Sequence, residues 1–155
     1  AFMGMQYRTA TSVPPIHNIT TNPNDPPGFD AIVALRGSES NPLEYTADLA
    51  PQQQAAYPTL ESLQLDVAPA EALARSQRAL ESMGLEIVAV DSDQGLVEAT
   101  ATTFWFGFKD DVAVRVRPDA SGSVVDVRSV SRVGRSDLGA NAARIGKFLS
   151  IMSGS

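Results

Sequence analysis

The strongest constraint on the fold is the stretch of residues 124–152, in which an alternating pattern leads into an amphipathic one. Successive side chains of a strand point to opposite faces of a sheet. One face would carry the small or apolar residues Val125, Val127, Ser129, Ser131 and Val133. The other face would carry Asp126, Arg128, Val130 and Arg132. Residues 124–133 are therefore predicted to form a strand with one buried face and one charged face.

A helix is predicted directly after this strand. Gly134 and Arg135 form a turn, and Ser136 is a suitable N-cap because its hydroxyl can accept a hydrogen bond from a free helix N–H. Asp137 then lies at the positive end of the helix dipole. The residues at three- and four-residue spacing are Leu138, Ala142, Ile145, Leu149 and Met152. They form a stripe suited to packing on a sheet. A second stripe, Gly139, Ala143 and Gly146, suggests that another backbone comes close to the helix.

The rest of residues 60–155 continues this pattern. Leu63, Leu65 and Val67 alternate as a strand, and a helix is expected from Pro69 to Gly84. Further strands are predicted over residues 85–90, 96–103 and 112–117, with turns between them. The order β-α-β-β-β-β-α indicates an α+β domain with two layers. It would have an antiparallel sheet of about five strands and two helices on one face, similar to a helix-grip fold.

Residues 1–59 are rich in proline and show no sustained period, so we expect an irregular arm packed on the domain. The segment from Ile16 to Thr20 is predicted to lie close to the second helix or to the edge of the sheet. His17 is the only histidine of the chain. It is interpreted either as a hydrogen-bonded side chain that fixes the arm, or as a general base or metal ligand.

Composition excludes several functions. The net charge of −6 opposes sequence-independent nucleic-acid binding, which needs lysine and arginine against the phosphates. The absence of cysteine removes thiolate nucleophiles, disulfides and cysteine zinc sites. Asp91-Ser-Asp-Gln-Gly95 is interpreted as a hairpin turn, because its glycine comes one position too early for a calcium loop. We expect no metal and no cofactor. No apolar run approaches the roughly 18 residues that cross a bilayer, so the chain as given is expected to contain no membrane span.

Several long segments of the sequence resemble a known family. Residues 103–112, TFWFGFKDDV, and residues 126–145, DVRSVSRVGRSDLGANAARI, are similar to the bacterial and plastid family DUF1499, a domain of unknown function. Pro15-Ile-His-Asn-Ile-Thr-Thr21 and Tyr57-Pro58 resemble the same family, so the similarity covers nearly the whole chain. The family has no established activity, and many members look like soluble domains joined to membrane-spanning segments or lipid anchors. The resemblance implies a membrane-associated bacterial protein with a membrane anchor upstream of this chain and with this domain on the periplasmic side.

The candidate site is the junction of the last strand and the last helix. Asp137, Asn141 and Arg144 follow one another along one flank of the helix. Arg128 or Arg132 is expected to bond Asp137 or Asn141, and so to join the strand to the helix. Alternatively, Arg132, Arg135 and Ser136 form an anion pocket with the helix N-terminus. The candidate ligand-binding residues are Arg128, Arg132, Arg135, Ser136, Asp137, Asn141 and Arg144.

Two other features are open to more than one interpretation. The arginines at positions 115, 117, 128 and 132 are expected on the solvent side of neighbouring strands, with Asp126 and Glu98 among them. The aromatic residues of 104–108 either cover the end of the core or form an exposed rim that meets a membrane, a ligand or a partner.

Two functions fit these patterns. The first is a noncatalytic binding or structural module that binds a partner protein or a small anionic ligand. The alternative is a hydrolase-type enzyme that uses His17 as base, with Asp137 or Asp111 and with Arg132 as electrophilic support. The chain has no Ser-His-Asp spacing, nucleophile elbow, phosphate-binding glycine loop or paired-carboxylate signature. The binding module is therefore the favoured hypothesis.

Overall fold

The computed structural model describes residues 18–36, 49–102, 109–132 and 140–154. The elements in chain order are strand β1 (Asn18–Thr20), a 3-10 helix (Ala31–Leu35), helix α1 (Leu49–Ala56), β2 (Leu63–Leu65), α2 (Pro69–Ser82), β3 (Glu86–Asp91), β4 (Leu96–Thr102), β5 (Lys109–Asp119), β6 (Gly122–Ser131) and α3 (Ala140–Met152). The α+β class is confirmed.

The strands form one antiparallel sheet in the order β1-β6-β5-β4-β3. β2 pairs with residues 123–125 of β6, and β1 pairs with residues 128–130 of the same strand. Both short strands therefore lie along the same edge of β6. The sheet thus has six strands rather than about five, and the described residues hold three α-helices rather than two. β1 was not predicted because three residues in a proline-rich segment are too short to show a period.

The core lies between the sheet and the two helices α2 and α3, which pack on the same face. The central strands contribute alternating valines to it, as the pattern predicted. In α3, Ala142, Ile145 and Met152 are buried as expected. Phe148 is also fully buried, whereas Leu149 is only partly buried. The helix is therefore rotated slightly from the predicted stripe, so that its aromatic residue enters the core.

Two glycines are required by close backbone packing at the hairpins. A Cβ atom at Gly122 would lie 2.0 Å from the carbonyl oxygen of Leu65. Gly95 has φ +66, and a Cβ there would lie 2.3 Å from the carbonyl oxygen of Val116. By contrast, a Cβ at Gly146 would meet nothing within 4 Å, so the expected backbone approach is wrong at that position. Gly139 lies outside the described residues.

The second face of the sheet is largely buried, although the Arg117 side chain is 42% exposed. Asp126, Arg128 and Glu98, which were expected on a solvated face, are at most 5% exposed. Residues 18–36 cover this face, and we call it the covered face. β1 forms at the edge of β6, which confirms the predicted docking for Asn18–Thr20. His17 lies outside the described residues.

Candidate functional site

Asp126 links the N-terminal segment to the covered face of the sheet. Its carboxylate accepts hydrogen bonds from the Thr21 hydroxyl at 2.7 Å, from the Ser62 hydroxyl, and from Asn22 Nδ2 at 3.4 Å. Arg115 Nη2 and Arg117 Nη2 lie 3.6 and 3.5 Å from Asp126 Oδ2. The carboxylate is fully buried. Because a buried charge needs such partners, these contacts are what allow Asp126 to lie beneath the arm.

Asp111 forms a second buried ionic cluster on the same face. Arg132 donates to both carboxylate oxygens, with Nε 3.0 Å from Oδ2 and Nη2 2.9 Å from Oδ1. The Thr100 hydroxyl donates to Oδ1 at 3.1 Å, and Arg36 Nη1 donates to Oδ2. The fork-like contact of Arg132 is the strong geometry for an arginine–carboxylate pair. Asp111 is therefore committed to structural contacts, which leaves it poorly placed to orient a general base.

Glu98 and Arg128 hold the stretch between the first turn and the 3-10 helix. The Glu98 carboxylate accepts the backbone N–H groups of residues 30, 31 and 32 at 2.8, 2.9 and 3.1 Å. These donors form the N-terminus of the 3-10 helix, where a negative charge is stabilised. Arg128 Nε donates to Asn18 Oδ1 and its Nη1 to the Pro27 carbonyl, both at 3.0 Å. Its guanidinium carbon lies 5.3 Å from the centroid of the Phe29 ring.

The strand–helix junction is made by Asn141 and Arg144, on the face that carries the helices. Asn141 Nδ2 donates to the Ser131 hydroxyl at 2.9 Å, and Asn141 Oδ1 accepts from the Ser129 hydroxyl at 2.6 Å. Arg144 Nη1 donates to Asn141 Oδ1 and pairs with Asp110 Oδ2, both at 3.0 Å. The strand and helix are thus joined by polar contacts of Asn141 and Arg144 with Ser129, Ser131 and Asp110.

The arginines expected in that junction lie elsewhere. Arg128 and Arg132 are on the covered face, opposite to Asn141, so their expected pairing with Asn141 is wrong. The alternation of the strand placed the charged residues together, but it did not show that the N-terminal segment and β5, rather than the helix, provide their partners. Three other candidate residues, Arg135, Ser136 and Asp137, lie outside the described residues, as does the aromatic run of residues 104–108. The anion pocket built on the helix N-terminus stays a prediction, as does the pairing with Asp137.

Basic side chains gather at one end of the sheet, where β4 and β6 end and β5 and α3 begin. We call this part the cationic end, and it consists of Arg36, Lys109, Arg132, Arg144 and Lys147. Among the described residues, the acidic groups at this end are Asp110 and Asp111, both engaged in ion pairs, and Glu86 at the start of β3. The opposite end carries the acidic hairpin residues Asp91, Asp93 and Asp119. The charges of the described residues are therefore unevenly distributed.

Arg132 on the covered face and Arg144 on the helix face each have guanidinium N–H groups without a hydrogen-bond partner among the described residues. Arg132 uses Nε and Nη2, so its Nη1 has no hydrogen-bond partner among the described residues. Arg144 bonds through Nη1 alone, so its Nε and Nη2 are similarly without one in the described part of the chain. Arg144 and Lys147 line a groove of about 340 Å³ between the start of α3, the end of β4 and the end of α2. The arrangement can hold an anion by charge-assisted hydrogen bonds.

Gln53 of α1 is a structural residue that sequence reasoning missed. Its Oε1 accepts the backbone N–H of Thr20 at 3.0 Å, and its Nε2 donates to the Thr20 carbonyl at 2.6 Å. The side-chain amide therefore satisfies the outer edge of β1 as a neighbouring strand would. The helix itself was expected over residues 50–57, but a glutamine in a weakly patterned helix carries no signal for such a contact.

Replacement of Gln53 by alanine is expected to lower the free energy of unfolding by about 2 kcal/mol, because it leaves two buried backbone groups of Thr20 without partners. Chemical denaturation measures the change. The matched control is Gln54→Ala, one residue along the same helix and exposed, which should change stability by less than about 0.5 kcal/mol. Equal effects of the two substitutions would contradict the proposed role of Gln53.

The contacts between the N-terminal segment and the sheet define the class of protein. The chain is a two-layer α+β domain in which an N-terminal segment is fixed over the second face of the sheet by buried ion pairs. Its sequence belongs to the family described as Protein of unknown function (DUF1499), whose model matches residues 18–152. No curated protein matches the chain.

The described ranges contain neither a candidate metal site nor a helix that could span a membrane. In residues 18–36, 49–102, 109–132 and 140–154, no group of three or more histidine or acidic side chains could hold a metal ion. No helix in those ranges is long and apolar enough to cross a membrane.

The segment from Asp91 to Gly95, which was interpreted as a hairpin turn, has the geometry of an Asx-turn. Asp91 Oδ1 accepts the N–H groups of Asp93 and Gln94 at 3.0 and 3.2 Å.

Proposed function

We propose that this chain is a noncatalytic binding module of a membrane-associated protein, and that its cationic end binds a small anionic ligand or an acidic segment of a partner protein. One observation carries the proposal. Arg144, which lines the groove, is fixed by the buried carboxylate of Asp110 and has guanidinium N–H groups without a partner among the described residues. On the covered face of the same end, Arg132 is fixed in the same way by Asp111.

Such fixed arginines suit anion binding for a physical reason. A long side chain loses rotamer entropy when it binds a ligand, and this loss opposes association. The ion pairs with Asp111 and Asp110 have already restricted Arg132 and Arg144, so less entropy remains to be lost. Lys147 adds an exposed charge on the same groove. A carboxylate or phosphate at this end would meet donors in nearly fixed positions.

Noncatalytic binding is supported by the state of the acidic groups. Asp111, one of the two carboxylates that the enzyme alternative offers beside His17, is fully buried and bonded to two arginines and a threonine. The other, Asp137, lies outside the described residues. A catalytic carboxylate must approach a substrate or orient a base. Membrane association and a periplasmic position rest on the resemblance to proteins that join such domains to membrane anchors.

Inorganic pyrophosphate is a suitable probe of the cationic end. In a titration followed by NMR of the ¹⁵N-labelled chain, saturable shifts are expected at residues 109–111, 131–132 and 140–147. Lys147→Gln should weaken binding about fivefold, because it removes one charged contact without touching the ion pairs. Added salt should weaken it further, because the site is exposed.

The control is Arg78→Gln, which removes a cation from the exposed face of α2. It should leave pyrophosphate affinity unchanged. Shifts scattered over the whole surface, or equal losses in the two variants, would contradict the proposal. A peptide rich in glutamate, titrated in the same way, distinguishes an acidic protein segment from a small anion.

A further inference from the structure

A second concave site differs from the cationic end in its chemical character. It is a cavity of about 420 Å³ between the turn of residues 21–24 and the segment from Gln53 to Ser62. This volume falls within the range of roughly 300–1,000 Å³ that is usual for small-molecule sites. Among the described residues, neither lysine nor arginine lines the cavity, and Glu61 is the one charged residue in its lining.

The floor of the cavity is fixed by hydrogen bonds to buried groups. Thr21, Asn22 and Ser62 all bond the buried carboxylate of Asp126. Gln53 is held by both backbone groups of Thr20. These lining side chains are therefore oriented before any ligand arrives, which reduces the ordering cost of binding.

The rim differs from the floor. Asn24, Gln54, Tyr57 and Glu61 line the cavity, and their side chains make no hydrogen bond within the described residues. Two carboxamides offer donors and acceptors, the phenol offers both, and the carboxylate offers acceptors. The tyrosine ring and Pro23 and Pro58 add flat apolar surface beside these groups.

We propose that this cavity, which we call the amide pocket, binds an uncharged polyhydroxylated ligand, that is, a sugar unit. Each sugar hydroxyl both donates and accepts a hydrogen bond, so a rim of amides, phenol and carboxylate matches it in both directions. The C–H face of a sugar ring fits the flat apolar surface of Tyr57. A phosphate or carboxylate ligand is disfavoured, since the described lining offers it no cation and Glu61 would repel it.

The test uses the intact chain and two defined probes, glucose and N-acetylglucosamine, titrated against the ¹⁵N-labelled protein. Saturable shifts are expected at residues 21–24 and 53–62. Gln54→Ala and Tyr57→Phe each remove one hydrogen-bonding group from the rim. Each should weaken binding by roughly threefold to tenfold. The matched control is Gln77→Ala on the exposed side of α2, which should leave the affinity unchanged.

Two results would overturn the proposal. One is the absence of saturable binding of either sugar. The other is sugar binding that Gln54→Ala and Tyr57→Phe leave unaltered. A blocked amino acid, N-acetyl-alanine-amide, is titrated in parallel. Its binding in place of the sugars would assign the pocket to peptides and contradict the sugar proposal. Lys147→Gln separates the two sites, because it should reduce pyrophosphate binding and leave sugar binding intact.

Discussion

Asp126→Ala is expected to lower the free energy of unfolding by roughly 3–5 kcal/mol, the range for removing one partner of a buried charge pair. The substitution leaves Arg115, whose side chain is only 15% exposed, without its buried carboxylate. It also removes the acceptor of the Thr21 and Ser62 hydroxyls. Arg117 is more exposed and can turn toward water, so most of the cost arises at the buried groups. Urea denaturation followed by circular dichroism measures it.

The control for this substitution is Asp119→Ala, in an exposed position at the end of β5, which should cost less than about 0.5 kcal/mol. Hydrogen exchange shows where the effect lies. Amides of residues 18–22 should exchange faster in Asp126→Ala, because these residues are held to β6 partly through the carboxylate. A variant as stable as the wild type, with unchanged exchange there, would show that Asp126 does not fix the N-terminal segment.

Phe148→Ala is the second substitution with a large expected effect. Phe148 is 1% exposed and is the largest of the fully buried side chains in the described part of the chain. Its loss would leave a cavity between α3 and the sheet, and phenylalanine-to-alanine changes in cores cost about 3–5 kcal/mol. Thermal and chemical unfolding both measure the change.

The comparison variant is Ile151→Ala, on the same helix but 36% exposed. Its cost should be about 1 kcal/mol, because much of its apolar surface is already in water. If the two substitutions destabilised the protein equally, α3 would be rotated from the orientation described here. That result would favour the stripe that placed Leu149 rather than Phe148 in the core.

The charged face of β6 shows where reasoning from sequence stops. Alternation correctly grouped Asp126, Arg128 and Arg132 on one face. A charged face of an antiparallel sheet is normally solvated, so the pattern favoured exposure. The covering segment has its own charges and amides, and Glu98, Arg128 and Asp126 gain hydrogen-bond partners from it only after it has docked. No periodicity in residues 18–36 indicates that this segment covers the sheet, because its contacts join side chains and backbone groups that are far apart in sequence.

The candidate site was predicted in part. Asn141 and Arg144 do join the strand to the helix, which their spacing along α3 indicated. Arg132 was chosen correctly as a residue of an ionic cluster, but its partner is Asp111 rather than Asn141. Residue type shows that an arginine in a strand needs an acceptor. The choice among several acidic residues depends on register and on which face each one occupies.

Local patterns in the chain predict the α+β class, the order of the elements from β2 to α3 and the hairpin turns. They do so because periods of two and 3.6 residues and the turn residues are local properties of the chain. Tertiary structure alone decided that the second face of the sheet is covered, that Gln53 completes the edge of β1, and that basic residues gather at one end. Each of these depends on pairing between distant segments. The stability of a buried charge or a buried backbone group is set by its partners, and those partners are known only once the chain has folded.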